Sequence, residues 1–490
     1  LNSVLAIDIG TTSTKGLLIT SQGVVLASHQ VAYPTHYPQP HFAEQNPEEI
    51  FDAVVSVIHA IAARNDITVI SFSAAMHGIM AVNEEGTPIS SLIIWADTRS
   101  IIQSQELEDK GLRQILFEET GTPVHPMSPL CKLLWWKEHQ PELLKRAHKF
   151  VSIKEFVIFR LTDQFLIDYS IASATGIFNL STLGWSVTAL NQLGIPSNKF
   201  SDLVPTDFSV ELTTEQSAFL ELKNSAKLII GASDGCCAQL GSGATQENDI
   251  AITVGTSGAV RKMSKTRVMD PQGRVFNYIL DQHNFVSGGA TNNATAVIHW
   301  FAKQFLQKPS TTLTEFIDQT KLIQAGSEGL LFLPYVFGER APVYDAAASG
   351  VFLGVTVQHT LLHFQKAVAE GICFALKSIL ETIHESSNPC RLIISGGITY
   401  SPEWLQMLSD VLNKELHVAT DHDASTIGAA MIAFRAEGIK FQQSKQTTSC
   451  VLPNSDRALI YKKSYAVYKT LYESLKSTFH THHQLLNSCR

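Results

Sequence analysis

Four short stretches place glycines and hydroxyls at the ends of apolar runs, two of them with a carboxylate, which is the composition phosphate chemistry calls for. Asp8 lies at the end of the run Leu5–Ile9 and is followed by Gly10-Thr11-Thr12-Ser13-Thr14-Lys15. Successive backbone N–H groups in such a turn form a concavity for phosphate oxygens. Thr11 and Thr12 add hydroxyls, and Lys15 adds a cation. A carboxylate is badly placed to touch phosphate itself, but Asp8 suits a Mg²⁺ ion that bridges phosphates and keeps its waters. Lys15 lacks the preceding glycine and is followed by Gly16, so this is not a Walker A loop. An ordinary hairpin turn would use the same residues.

The second stretch, Gly255-Thr256-Ser257-Gly258, offers another such turn after the run Asp249–Val254. The third, Gly231-Ala232-Ser233-Asp234-Gly235, sets Asp234 between a strand and the start of a helix. Asp234 is there either a helix N-cap or a general base facing a substrate, and the two roles are compatible. In the fourth, Ser395-Gly396-Gly397, the glycine pair lets a flat ligand such as adenine or its ribose approach the backbone. Ser401 then caps the next helix and Pro402 takes its first position. Met76-His77-Gly78, Trp95-Ala96-Asp97-Thr98-Arg99 and Gly338-Glu339-Arg340 are polar clusters beside apolar strands. Structural ion pairs or satisfied core groups would read the same way. His480, His482 and His483 lack a companion HExxH motif and read as an exposed polar tail.

Alternating strand and helix signals position these groups. Val4–Ile7, Gly16–Thr20 and Val24–Ala27 read as three strands. The stiff stretch from Pro34 to Pro40 then suits neither regular element. Asn46 and Pro47 open a helix with Glu48 and Glu49 set against its dipole, and Ile50, Val54, Ile58 and Ile61 form its apolar stripe. Thr68–Phe72 returns as a strand. The pattern around Asp249–Gly258 echoes the first, at the scale of a domain rather than of a short repeat. Two related α/β domains, 1–243 and 244–490, are therefore expected, divided near Gly241-Ser242-Gly243. An amphipathic segment from Tyr461 to Phe479 reads as a terminal helix.

Composition excludes several classes. With 490 residues, 44 % of them hydrophobic, the chain is too long for one core and too apolar for global disorder. Lys and Arg number 37 against 45 Asp and Glu, a net charge of −8, which argues against nucleic acid or anionic lipid as the main partner. There is no uncharged apolar run long enough to span a bilayer. Leu1-Asn2-Ser3 leads straight into a strand, without a basic segment or cleavage site. The seven scattered cysteines make no disulfide framework, so a cytoplasmic setting is expected.

Taken in order, the motifs Asp8-Ile9-Gly10-Thr11-Thr12, Met76-His77-Gly78, Trp95–Arg99, Gly231–Gly235, Gly255–Gly258, Gly338-Glu339-Arg340 and Ser395-Gly396-Gly397 resemble those of the FGGY carbohydrate kinases. The resemblance runs from Leu5 to about Gly438. It implies an α/β fold of two related actin/hexokinase-like (ribonuclease H-like) domains around a central cleft, with ATP and Mg²⁺ as cofactors. By resemblance, Asp234 is the catalytic base and Asp8 orients the hydrated metal. Gly10, Thr11, Thr12 and Lys15, with Gly255 and Thr256, flank the transferring phosphoryl. Gly397 and Ser401 line the adenosine pocket. Met76, His77 and Asp234 line the sugar site, with Arg99, His125 and Met127 as neighbours.

Within the family, Asp8–Lys15, Ala43-Glu44-Gln45, Thr120–Met127, Ile153-Lys154-Glu155 and Asp168–Gly176 are most similar to members that phosphorylate gluconate. Xylulose kinases are the nearest rival, and a non-catalytic ATP-dependent sensor on the actin-like fold is the alternative of a different class. The implied partners are a small sugar acid and ATP, with neither nucleic acid nor membrane, and a homo-oligomer stays open. The chain departs from the family pattern at Lys15, where many members carry Arg, at Trp136, at Ala369, and in Asp345–Gly350, which lacks an arginine common in relatives.

Overall fold

The computed structural model describes residues 2–385, 388, 390–419, 423–442 and 447–488. The strands that matter here are β1 (Ser3–Ile9), β2 (Ser13–Thr20), β3 (Val25–Ala32), β4 (Val69–Ala74), β5 (Ser209–Glu211), β6 (Lys227–Ser233), β7 (Asp249–Val254), β8 (Gly258–Ser264), β9 (Asn284–Thr291), β10 (Arg391–Ser395), β11 (Leu416–Ala419) and β12 (Thr447–Val451). The helices are α1 (Pro47–Ala62), α2 (Pro129–His139), α3 (Ile153–Thr162), α4 (Tyr169–Ser173), α5 (Asp234–Gly241), α6 (Thr295–Gln304), α7 (Leu361–Ile383), α8 (Pro402–Leu412), α9 (Ala424–Ala436) and α10 (Ser455–Ser488). Among the described residues no helix is long and apolar enough to cross a membrane.

The chain divides into two compact units, Leu1–Thr245 with Met263–Ser287 and Asp423–Lys445, and Gln246–Lys262 with Gly288–His422 and Gln446–Arg490. The first break between the units falls at Thr245/Gln246. Two later segments nevertheless return to the first unit, so neither unit is one continuous stretch. Helix α9 shows why. It packs against α5 and β1 of the first unit, at an approach only glycine permits. A Cβ on Gly428 would lie 1.9 Å from the Cys237 carbonyl oxygen, and one on Gly241 would lie 1.9 Å from that of Ala424.

The first unit's sheet runs β5-β6-β4-β1-β2-β3. β6, β4 and β1 are parallel, while β1-β2-β3 is an antiparallel meander. Asn46 caps α1 by accepting from the Glu48 N–H, and Ile50, Val54, Ile58 and Ile61 are buried as the stripe predicts. β6 carries a register shift between Ile229 and Ala232, where Gly231 has φ +73° and passes so close to Phe72 that a side chain would collide with its carbonyl. This irregularity re-aims the last residues of the strand before Asp234.

The second unit's sheet contains β9-β8-β7-β10-β11-β12. β7 pairs antiparallel with β8 and parallel with β10, and β11 runs parallel to β10 and antiparallel to β12. The terminal helix is longer than the predicted 461–479 segment and buries Tyr461, Tyr465, Tyr468, Tyr472 and Phe479. His480 does not lie in an exposed tail. Its Nε2 is 3.1 Å from Asp345 Oδ2, which also accepts from the Tyr472 hydroxyl at 3.0 Å. The Asp345–Gly350 loop that lacks an arginine is thus anchored on α10. The six described cysteines are free thiols.

Candidate active site

Parallel strands bring their carboxyl ends to one edge of a sheet, the place where open α/β sheets bind ligands. In the first unit Asp8 on β1 lies opposite Ser73 on the adjacent β4, and Ser73 lies opposite Ala232 on β6. Asp8, the Ala75-Met76-His77 loop after β4, and Asp234 after β6 therefore leave three neighbouring strands at the same edge. This is the grouping the sequence predicts within this unit.

Asp8 is held by both oxygens. Ser73 Oγ donates to Oδ1 at 2.7 Å and Ser425 Oγ to Oδ2 at 2.8 Å. Burial pushes its carboxyl above the usual carboxylate range, opposed by these two hydroxyl donors. Lys15, directly across the β1-β2 ladder, sends Nζ to Asp423 Oδ1 at 2.5 Å. Two carboxylates, Asp8 fixed by two hydroxyls and Asp423 paired with one ammonium, make a hard oxygen donor set that fits Mg²⁺.

The first turn is tied down from outside. Tyr33 donates to the Gly10 carbonyl at 2.6 Å, Gln45 to the Thr11 carbonyl at 2.6 Å, and Trp95 Nε1 to Thr11 Oγ1 at 2.9 Å. Thr12 stays exposed at the tip.

At the third stretch the structure separates two roles the sequence left joined. Ser233, not Asp234, is the N-cap of α5. Its hydroxyl accepts from the Cys236 N–H, and it is bonded to Ser170 Oγ at 2.8 Å. Asp234 is the first helical residue, where a carboxylate meets the positive end of the helix dipole, and its Oδ1 accepts from the Gly235 N–H at 2.6 Å.

The proposed sugar-side residues are placed less uniformly. His77 adopts φ +65°, with Nδ1 2.7 Å from the Ala174 carbonyl and Nε2 3.2 Å from the Tyr278 hydroxyl. Met76 is half-buried and packs against the apolar cluster that includes Ile167, Ile171 and Phe178. His125 and Met127 are buried, joined by a Met127 N–H to His125 Nδ1 bond of 3.2 Å. Arg99 forms a closed triad with Asp97 at 2.8 Å and Glu44 at 2.6 Å, its guanidinium 3.7 Å from the Phe42 ring centroid. Its charge is already compensated, which is the structural ion pair the sequence allowed. Lys154 is likewise buried against Asp168 at 2.8 Å and the Ala232 carbonyl at 3.2 Å.

In the second unit, Gly255 and Thr256 follow β7, and their carbonyls accept from Thr295 and Ala296 at the start of α6. Thr256 is exposed. Gly396 and Gly397 follow β10, the parallel neighbour of β7, and Gly396 has φ +89°. Ser401 is fully buried and caps α8 by accepting from the Trp404 N–H, so its hydroxyl already has a structural task. Glu339 is buried among Thr291, Asn292, Asn293 and Arg340, and burial raises its carboxyl to about 7.

Sequence reasoning missed Ser73, Asp423, Ser425, Tyr278 and Lys132. Lys132 is fully buried and donates to the carbonyls of His77 at 2.6 Å and Ile94 at 2.8 Å. Ser73 was visible as a hydroxyl ending a strand. The others come from distant segments and carried no local signal.

The fold and the strand-end motifs are those of a two-domain α/β sugar kinase. Residues 3–241 match the N-terminal domain, and 250–437 the C-terminal domain, of the FGGY family of carbohydrate kinases. The chain belongs to that family. It is 37 % identical over 449 residues to the gluconokinase of Bacillus subtilis, covering 89 % of this chain and 88 % of that one. The crystal structure of gluconate kinase from Lactobacillus acidophilus is similar with TM-score 0.92 and 32 % identity, over 98 % of this chain and 100 % of that one. A ligand-bound xylulose kinase from the same organism matches with TM-score 0.92 and 31 % identity, over the same shares.

Proposed function

We propose that the chain transfers the γ-phosphoryl group of ATP to a hydroxyl of D-gluconate, giving 6-phospho-D-gluconate and ADP. In this reading the Asp234 carboxylate accepts the proton of the attacking hydroxyl as the new O–P bond forms and the bond from the γ-phosphorus to the bridging oxygen breaks. A primary hydroxyl is far less acidic than a carboxylic acid, so proton transfer is late and Asp234 first orients the nucleophile. Such a base typically contributes roughly 10²–10⁴ in rate. Mg²⁺, when bound, supplies charge neutralisation on the phosphate oxygens. Asp8 would hold its hydration shell, fixed for this by Ser73 and Ser425, and backbone N–H groups of the Gly10 and Gly255 turns would meet phosphate oxygens.

The observation that carries the reading is the division of labour at α5. Ser233 does the capping, so Asp234 is not required for it. The test is Asp234→Asn. It should keep ATP and sugar binding and lower kcat by about two orders of magnitude or more. Turnover within a few-fold of the parent would remove the base assignment.

A second reading, phosphorylation of xylulose or another pentulose, is favoured by one observation. Arg99, Lys154 and His77, the groups expected to meet a carboxylate, all have partners within the fold, and burying a substrate carboxylate without a donor is costly. Steady-state kcat/KM on gluconate, xylulose, ribulose and glycerol decides between them. A preference for xylulose with gluconate inert would overturn the gluconate assignment and leave the kinase mechanism standing.

A further inference from the structure

Glu415, His417 and Cys450 lie together on the second unit, and no step of phosphoryl transfer uses them. Sheet geometry groups them. Cys450 on β12 is the direct cross-strand partner of His417 on β11, so the two side chains share a face. Glu415 is two residues before His417 in extended chain and points to that face as well. Cys450 Sγ is 3.3 Å from His417 Nδ1, and His417 Nε2 is 3.8 Å from Glu415 Oε1. One ligand atom from each residue falls within 4.8 Å of the other two, with Glu415 and Cys450 exposed and His417 half-buried.

We propose that this trio is a surface site for a borderline divalent cation of the Zn²⁺ class, independent of the Mg²⁺ of the reaction. With Zn–S near 2.3 Å and Zn–N near 2.05 Å, a tetrahedral ion sets its sulfur and nitrogen ligands about 3.5 Å apart, close to the separation observed between Sγ and Nδ1. A thiol is a weak hydrogen-bond partner, so a directly opposed Cys–His pair gains little without an ion. Sulfur and imidazole donors select Zn²⁺ over the hard Mg²⁺. On binding, the thiol proton passes to solvent and the Zn–S bond takes its place. Three protein ligands leave the fourth position to water. The ion joins β12, at the end of the sheet order, to β11.

The test uses the full chain, reduced and metal-stripped, titrated with Co²⁺ and then displaced with Zn²⁺. One equivalent should bind with a thiolate-to-cobalt charge-transfer band, and Zn²⁺ should abolish that band and raise the melting temperature. Cys450→Ser should lose the band and the thermal shift, and His417→Ala should weaken binding at least tenfold. A Cys390→Ser/Cys489→Ser control should keep both, which separates this site from those two thiols. No band in the parent chain, a band that survives Cys450→Ser, or binding too weak to survive gel filtration would overturn the proposal. Each variant's far-UV circular dichroism and sugar-kinase activity without added Zn²⁺ should match the parent, since none of these residues belongs to the catalytic edge.

Discussion

Replacing Lys132 by Met tests how the loop carrying His77 is held. Lys132 is 0 % exposed, and its Nζ donates to the carbonyls of His77, Ile94 and, at 3.4 Å, Ile93. Methionine has a similar volume and no donor. The two short bonds are lost, leaving two buried acceptors at about 1–3 kcal/mol each, offset in part because the variant no longer buries an amine. A net loss of about 2–4 kcal/mol is expected near neutral pH.

Burial lowers the Lys132 ammonium from 10.5 to about 7, with the Asp97 carboxylate opposing the shift. The folded value lies below the unfolded one, so between the two the unfolded chain binds the extra proton. Stability from this group is therefore greatest above the unfolded value and is lost as pH falls towards 7. At 1.36 kcal/mol per pH unit, the whole interval is worth at most about 5 kcal/mol. Urea unfolding of parent and variant at pH 7 and 9.5 should show the parent's advantage growing with pH. An equal deficit at both pH values, or one that shrinks at pH 9.5, would refute a buried, proton-shedding Lys132. Because His77 is held at φ +65°, the variant should also raise KM for the sugar more than it lowers kcat.

Ser233→Ala should cost about 1–2 kcal/mol through the lost cap, read by thermal melting, while kcat stays within tenfold; a fall as deep as that of Asp234→Asn would contradict the separation of roles. Glu155, whose carboxyl burial raises to about 7, destabilises the fold when ionised. The parent should therefore lose stability relative to Glu155→Gln as pH rises from about 4.5 to 7, and equal pH dependence in urea titrations would count against it. Asp8→Ala should raise the Mg²⁺ concentration needed for half-maximal rate about tenfold or more, and an unaltered Mg²⁺ titration would contradict a metal role for Asp8.

Local signals carried the elements well. Asn46-Pro47 and Ser401-Pro402 start helices as predicted, and the strand after Leu5 and the strand after Asp249 both form. Asp8 and Asp234 stand out because each lies near the end of a strand-like run, two residues before Gly10 and one before Gly235. What the residues around them do was less legible. Ser425 and Asp423 reach Asp8 and Lys15 from more than 400 positions away, and no periodicity encodes such a contact. Arg99 looked available because its partner Glu44 is also distant in sequence. The N-cap role that Asp234 could have filled belongs to Ser233, one residue earlier; both residues are good caps, and only the backbone path after Gly231 chooses between them.

The two units solve the same local problem with different charge. In register, Asp8-Ile9-Gly10-Thr11 corresponds to Thr253-Val254-Gly255-Thr256: each leads into an antiparallel partner, and each strand lies beside a parallel neighbour that carries a serine opposite. Ser73 bonds Asp8 at 2.7 Å, and Ser395 lies 3.1 Å from Thr253 Oγ1. The cation next to each differs as well. Lys15 pairs with a second carboxylate, Asp423, whereas Arg261 donates to the neutral Thr253 hydroxyl at 2.9 Å. The first turn thus adds acidic oxygens to its amides, and the second offers amides and a hydroxyl beside an arginine. Hard cations seek the former and phosphate oxygens the latter. That asymmetry predicts that metal dependence should respond to changes at Asp8 and not at Thr253.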